Sequence, residues 1–261
     1  PIPLIAHGPR RCTHNDAVYD VDPYGEHDHV CPRSGRIRRH NTVQGQVKML
    51  MRIAGIRCDK CDHTTLQLSA DDKGHEHPDL LAYFPDTLAP DLLDVCVAHP
   101  LAPGYQKNYS IAGAAADTRG KDKVAPGLYV DKATELGMTV SAFNVETYGG
   151  WGEQARSTLQ HITKTAISVG TRGHGGWAAC HIAELGRQLV GVGIARGIYE
   201  QFSIGFSKRC ADEFLRPPLA PLSGLLYGPD FIEDPSLGLG AGSPAWSELL
   251  CVCAVNVVLL L

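Results

Sequence analysis

The sequence predicts an α/β protein whose core runs helix, three strands, helix, strand, with further helix after it. Three observations carry this expectation. Apolar residues recur at helical spacing in Asn41–Ile56 and again beyond residue 150, and four short β-prone runs fall between these stretches. Clusters of Gly, Pro and Asp punctuate the boundaries.

Taken in order, the first helix places Val43, Val47, Leu50, Met51 and Ala54 on one face and ends near Gly55. The first strand is expected at Thr64–Ser69, closed by the polar turn Asp71–Gly74. Asp79–Phe84, entered from Pro78, is the second, and the Val-rich run Leu92–His99, closed by Pro100, is the third. Lys123–Gly137 reads as the second helix, its start delayed by Pro126 and Gly127 to about Tyr129. Met138–Thr147 is the fourth strand. By texture the chain divides into a Cys- and His-rich segment (1–34), the core (35–150), a helical extension (151–205) with the Gly-rich linker Val169–Gly176, and a tail (206–261) expected to be poorly ordered.

Composition narrows the function. The 261 residues carry a formal net charge of -4, which excludes a chain that binds polyanions along its whole surface; any such role must be local. Nine Cys and 12 His without a secretory leader at the start point to an intracellular setting, nuclear or cytoplasmic, with reduced or metal-bound thiols. The opening Pro1 reads as the start of a fragment. The apolar end Leu249–Leu261 falls short of the roughly 20 residues that cross a bilayer, so no membrane partner is expected.

The residues that carry chemistry sit on this frame. Asp79 opens the second strand and Asp94 lies inside the third, within Leu93-Asp94-Val95-Cys96-Val97. A carboxylate in an apolar strand is costly unless something pairs with it, and two strands joined by a loop bring the pair together as ligands for Mg²⁺ or Mn²⁺. Glu146, closing the fourth strand, is a candidate to line the same sheet edge. Asp62, Asp71, Asp72 and Glu76 are weaker candidates, best read singly as solvated loop charges. Lys121 and Lys123, just before the second helix, could supply a cation to a developing phosphate charge. Between Arg33 and Lys60 lie eight Arg and Lys, among them Arg36, Arg38, Arg39, Lys48 and Arg52, against the single acid Asp59. With His40 and Asn41 at the helix start they suit a phosphate-contacting face. Near the start, Cys12-Thr13-His14 and His27-Asp28-His29-Val30-Cys31 offer the soft and borderline ligands of Zn²⁺. Cys58-Asp59-Lys60-Cys61 has no second half, and Gly191–Gly197 imitates a dinucleotide loop without the strand such a loop needs. No nucleophile elbow, P-loop or metalloprotease helix is present in the sequence.

The succession Cys12…His27…Cys31, Arg39-His40-Asn41, Pro78-Asp79, Asp94-Val95-Cys96-Val97-Ala98-His99-Pro100-Leu101 and Glu146-Thr147-Tyr148-Gly149-Gly150-Trp151-Gly152 resembles one family. It is the restriction-like endonuclease domain at the C-terminal end of non-LTR retrotransposon reverse transcriptases, and the resemblance spans about residues 10 to 205. It implies a PD-(D/E)xK-type nuclease core, a zinc knuckle before it, and nicking of target DNA, with the element's own RNA as a further partner and no small-molecule substrate. Carried over, Asp79 and Asp94 are the metal-binding carboxylates and Lys123 the lysine candidate. His27 and Cys31 form the second half of the knuckle, and Arg39, His40 and Asn41 contact DNA or brace the site. The chain departs from the family pattern at three points: Cys12 with His14 stands for a pair of Cys, Cys96 for the lysine many such nucleases carry there, and Leu128-Tyr129 for a Lys-Tyr pair. The alternative they raise is a catalytically inactive, zinc-stabilised nucleic-acid-binding remnant.

Overall fold

The structure is a computed structural model that describes residues 11–14, 17–22, 26–62, 64–66, 77–169 and 175–215. A hairpin of β1 (Arg11–His14) and β2 (Ala17–Asp20) leads into the short helix α1 (Glu26–Val30). The first long helix, α2, spans Arg36–Ile53. It starts five residues before the expected Asn41, because Arg36–His40 is polar apart from Ile37, which is exposed, and one apolar residue sets no apolar period. Gly35, at φ +81°, turns the chain into it. The apolar face is the expected one: Val43, Val47, Leu50, Met51 and Ala54 are all buried.

The sheet is four-stranded and mixed, in the order β3 (Arg57–Lys60), β4 (Leu80–Tyr83), β5 (Asp91–Ala98), β6 (Thr139–Glu146). β3, β4 and β5 form an antiparallel meander, and β6 runs parallel to β5. The second, third and fourth strands sit where expected to within a residue or two. The first corrects the expectation. Thr64 and Thr65 form a turn held by the Asp62 carboxylate, which accepts both backbone N–H groups at 3.0 Å. Residues 67–69 lie outside the described residues, as do Asp71, Asp72 and Glu76. The strand is Arg57-Cys58-Asp59-Lys60, whose charges suit a sheet edge but hide it from a hydrophobic scan.

A parallel step from β5 to β6 needs a long crossover. Two helices supply it, α3 (Ala114–Val124) and α4 (Leu128–Glu135), where one was expected. α3 escaped notice because its buried face is Ala115, Ala116 and Gly120, too small to register as an apolar stripe. A Cβ on Gly120 would overlap the Asn144 side chain, so the small residue lets the helix lie against β6. The helical extension is α5 (Glu153–Val169) and α6 (Gly175–Leu215). Helix therefore continues ten residues past the expected boundary at 205; residues 216–261 lie outside the described residues. The chain divides into two units, Pro1–Glu213 and Phe214–Leu261, and the sites below lie in the first.

Both sheet faces are covered, which explains the near-continuous apolar strands. Leu80, Leu93, Val95, Phe143 and Val145 pack with Leu50 of α2, Leu159 and Ile162 of α5, and Ile182 of α6. Leu81 and Leu92 pack on the other face with Ala133 and Tyr129 of α4. Cys58 joins the first cluster and Cys61 the second, so the two are structural residues on opposite faces. Gly193 and Gly197, in the stretch that imitates a nucleotide loop, are mid-helix. A Cβ on them would come within 2.8 Å of Gln46 Cγ and 2.7 Å of Arg39 Cα respectively, so they let α6 approach α2. No helix among the described residues is long and apolar enough to cross a membrane.

Candidate active-site cleft and candidate metal centre

Antiparallel register brings the two aspartates together. Leu80 pairs with Leu93, so Asp79 falls opposite Asp94, and the Asp79 N–H donates to Leu93 O at 2.9 Å. The Asp79 carboxylate is then held from two sides. Oδ2 accepts the Val95 N–H at 2.7 Å, and Oδ1 lies 3.0 Å from His40 Nε2 on α2. Asp94 is 3% exposed, and Lys123 Nζ reaches its Oδ2 at 3.3 Å from the last turn of α3. The Tyr129 hydroxyl, which donates to the Lys123 carbonyl, lies 3.4 Å from the same oxygen. Lys121, expected beside Lys123, is exposed on α3 and does not line the cleft.

The electrostatics follow from burial. Desolvation pushes the Asp94 carboxyl up to about 6; Lys123 opposes this and the charge of Asp79 adds to it. Burial pulls the His40 imidazole down, but its hydrogen bond to Asp79 and the charges of Asp79 and Asp94 outweigh that, and its pKa ends above the ordinary value. Cys96 is pushed up to about 12 by burial, then by Asp94, so it is a neutral thiol at physiological pH. These groups line a cleft of about 790 Å³, whose walls, among the described residues, carry Arg36, Arg39, Arg119 and Lys123 against two carboxylates, Asp79 and Asp94. The surplus is positive on a chain that is negative overall.

The other expected site residues separate. Glu146 does not line the cleft. It is 3% exposed and caps the start of α3, Oε1 accepting Ala115 N–H at 2.9 Å and Ala116 N–H at 3.4 Å. A carboxylate at the end of β6 meets the helix N-terminus before it can reach Asp94. Arg39 is 4% exposed and lies 3.2 Å from the ring nitrogen Nδ1 of His29, so it braces the wall. Burial, then Arg36, lowers its pKa to about 10, leaving it a cation at neutral pH. Arg36 is exposed at the cleft, whereas Arg38 and Asn41 are exposed outside its lining.

A second candidate centre lies in the N-terminal segment. The ligand atoms of Cys12, His27 and Cys31 fall within 4.8 Å of one another, with the two sulfurs 3.6 Å apart. Helix geometry explains the H-x3-C spacing: Cys31 N–H donates to His27 O at 2.9 Å, one turn away, so both side chains share a face. Asp22 caps the start of α1, accepting the N–H groups of Glu26 at 3.0 Å and His27 at 2.8 Å. Burial, then Cys31, pushes the Cys12 thiol up to about 11, and Arg209 and Arg33 pull it part of the way back. Two sulfurs and an imidazole fit a borderline-soft metal ion. The side chain of His14, the fourth expected ligand, lies outside the described residues.

The segment is docked on α6. Asp28 and Arg209 of α6 form a two-pronged ion pair at 2.5 and 3.0 Å, with side chains 0% and 2% exposed.

Protein-family models, curated proteins and solved structures were compared with the chain, and none matches it.

The groups that join the segment to the cleft stand within the motifs that carry the family resemblance, but the sequence assigned them no role. His99 Nε2 lies 2.8 Å from Glu26 and its Nδ1 2.9 Å from Thr147 Oγ1, while Tyr148 donates to Glu26 at 2.5 Å. The His99 ring stacks on His29 at 4.4 Å. The available signal was polar side chains at the ends of β5 and β6, where ligands commonly bind in α/β folds. Arg119 and Tyr105 were also missed, since each is an unremarkable residue in its own segment.

Proposed function

We propose that the chain is a metal-dependent DNA endonuclease domain of the restriction-like type, hydrolysing phosphodiester bonds in a target DNA. The observation that carries this reading is the meeting of Asp79, Asp94 and Lys123 in a cationic cleft. The order helix, three-strand meander, crossover helices, parallel strand agrees with the core that the family resemblance implies.

The donor set fits a hard divalent cation. Both ligand candidates are carboxylates on one cleft wall, and Asp94 is held near protonation by burial and by Asp79, a strain that a cation relieves. Asp79 and Asp94 would hold Mg²⁺ or Mn²⁺, which supplies charge neutralisation at the phosphate and acidifies a water. The remaining work falls to the protein. Arg36 and Arg119 bind the DNA backbone by charge-assisted hydrogen bonds. His40 and the Val95 N–H fix the direction of the Asp79 carboxylate. Lys123 offsets the charge that builds on the phosphoryl oxygens as water bonds to phosphorus. The bond to the leaving sugar oxygen breaks in the same displacement, and the proton that the attacking water gives up ends on that oxygen, so the products are a phosphate monoester and an alcohol. Zn²⁺ on Cys12, His27 and Cys31, with His14 as the fourth candidate, would staple a segment too poor in apolar residues to order itself. Partners in this reading are DNA and the parent element's RNA, in an intracellular setting.

One observation favours a second reading, a DNA-binding remnant without catalysis. The strand position Cys96 holds a buried neutral thiol, and the lysine comes from another element. Plasmid nicking by the full chain with Mg²⁺ or Mn²⁺, beside Asp94→Ala, separates the two. Metal-dependent nicking lost in the variant supports the nuclease. Folded wild-type protein that binds DNA and never cuts it replaces that reading with the remnant.

A further inference from the structure

A second cavity, about 540 Å³, lies between α5, α6 and the loop Gly149–Trp151, and shares no lining residue with the cleft. Its size is that of a small-molecule site. Helical periodicity builds one wall. Ala155, Leu159, Ile162 and Ala166 of α5 are buried in the core, so Arg156, Gln160, Thr163 and Lys164 fall on the adjoining stripe and line the cavity. The floor is apolar, made by the buried Leu159 and by Trp151, whose indole meets Phe143 edge-on at 5.6 Å.

Charge and hydrogen-bonding capacity select the ligand. Arg156, Lys164 and Arg187 line the cavity, and among the described residues no Asp or Glu does. Arg187 shares its charge with Glu184 at 3.2 Å, so the surplus rests on Arg156 and Lys164. Arg156 donates to Trp151 O at 2.6 Å, which pins its guanidinium at the mouth with other donors left over. Gln160 offers a donor and an acceptor; Thr163 Oγ1, donating to Leu159 O at 2.7 Å, keeps acceptor capacity. A hydrocarbon tail would bury these two groups unpaired, which is unfavourable. A flat heterocycle with polar edges satisfies them while covering the floor.

We propose that this cavity binds a nucleotide, its base over Trp151 and Leu159 and its phosphate on Arg156 and Lys164. A free nucleotide and one residue of a nucleic-acid strand share that chemistry. The proposal stands on residues outside the cleft and does not need the nuclease reading to hold.

Calorimetric titration of the full chain with thymidine 5′-monophosphate, a short oligo(dT) and decanoate tests it. The expected result is binding of the monophosphate or the oligonucleotide, weakened roughly ten- to hundredfold in Arg156→Ala/Lys164→Ala, since hydrogen bonds to charged groups are being removed. Gln160→Leu should weaken the nucleotide without weakening decanoate, and both sets replace exposed side chains. Binding of the oligonucleotide alone assigns the site to a strand; binding of both admits the free nucleotide. No binding of either nucleotide probe, a preference for decanoate, or binding that survives the double variant and vanishes in Lys123→Ala would each overturn it. Failure of plasmid nicking with nucleotide binding intact would fault only the nuclease reading.

Discussion

Replacing Arg209 by Met is the sharpest test of how the N-terminal segment is held. The Asp28–Arg209 pair is fully enclosed, with side-chain exposures of 0% and 2% and two contacts at 2.5 and 3.0 Å. Around it, Ser34 and Gln201 donate to the Asp28 carbonyl, not to its carboxylate, so among the described residues the Arg209 guanidinium is what holds that side chain. Arg209→Met keeps the aliphatic volume and leaves a buried carboxylate without its counter-charge. Breaking such a pair from one side costs about 3–5 kcal/mol, a large share of the roughly 5–15 kcal/mol that holds a domain folded. Removing both charges is different: Asp28→Leu/Arg209→Met should recover most of the loss, because the desolvation penalty of the pair disappears too. Urea denaturation of wild type, both single variants and the double variant completes the cycle. A single-variant cost below about 1 kcal/mol, or additive single losses in the double variant, would refute a dominant buried pair. Zinc affinity, read by chelator competition, should fall in Arg209→Met as well. Its charge is among those that pull the Cys12 thiol back from the value to which burial and Cys31 push it.

Four other outcomes are expected. Metal-dependent nicking should rise with pH through about 6 as Asp94 becomes a carboxylate, the midpoint falling as Mg²⁺ concentration increases. The same raised pKa means the folded domain holds that proton more tightly than the unfolded chain. Asp94's stabilising contribution is therefore complete below the ordinary value of 3.8 and lost as pH rises through about 6; a stability–pH curve unchanged by Asp94→Asn would contradict this. Zinc removal should lower the melting temperature and weaken DNA binding together, because α1 carries both the ligand candidate His27 and the cleft residue His29; DNA affinity unchanged in the zinc-free protein would uncouple the two. Gly120→Ala should destabilise by about 1–3 kcal/mol through overpacking against Asn144, measured by denaturation; a neutral or stabilising result would mean that α3 lies further from β6.

Much of the fold was legible because its signals are local. The apolar period of α2, the short runs of β4, β5 and β6, and the helical texture of α5 and α6 are properties of neighbouring residues. Each fixes which face is buried whatever the partner. The misses have one physical cause. β3 is charged because it is an edge, and α3 is built of Ala and Gly because it lies close on β6, so neither shows the hydrophobic contrast a scan reads.

The site divides along the same line. Sequence by itself determined which side chains could do metal and phosphate chemistry: the two aspartates flanking a turn, the Cys and His of the first segment, the cations of α2. Only the tertiary structure decided which of them meet. Register set Asp79 beside Asp94, the crossover brought Lys123 to them, and a helix N-terminus claimed Glu146. The core and α6 enclosed Arg39 and Asp28, while Arg36 stayed open to the cleft. A carboxylate's chemistry belongs to the residue, whereas its protonation, its partner and its access to a ligand are set by what long-range packing places around it.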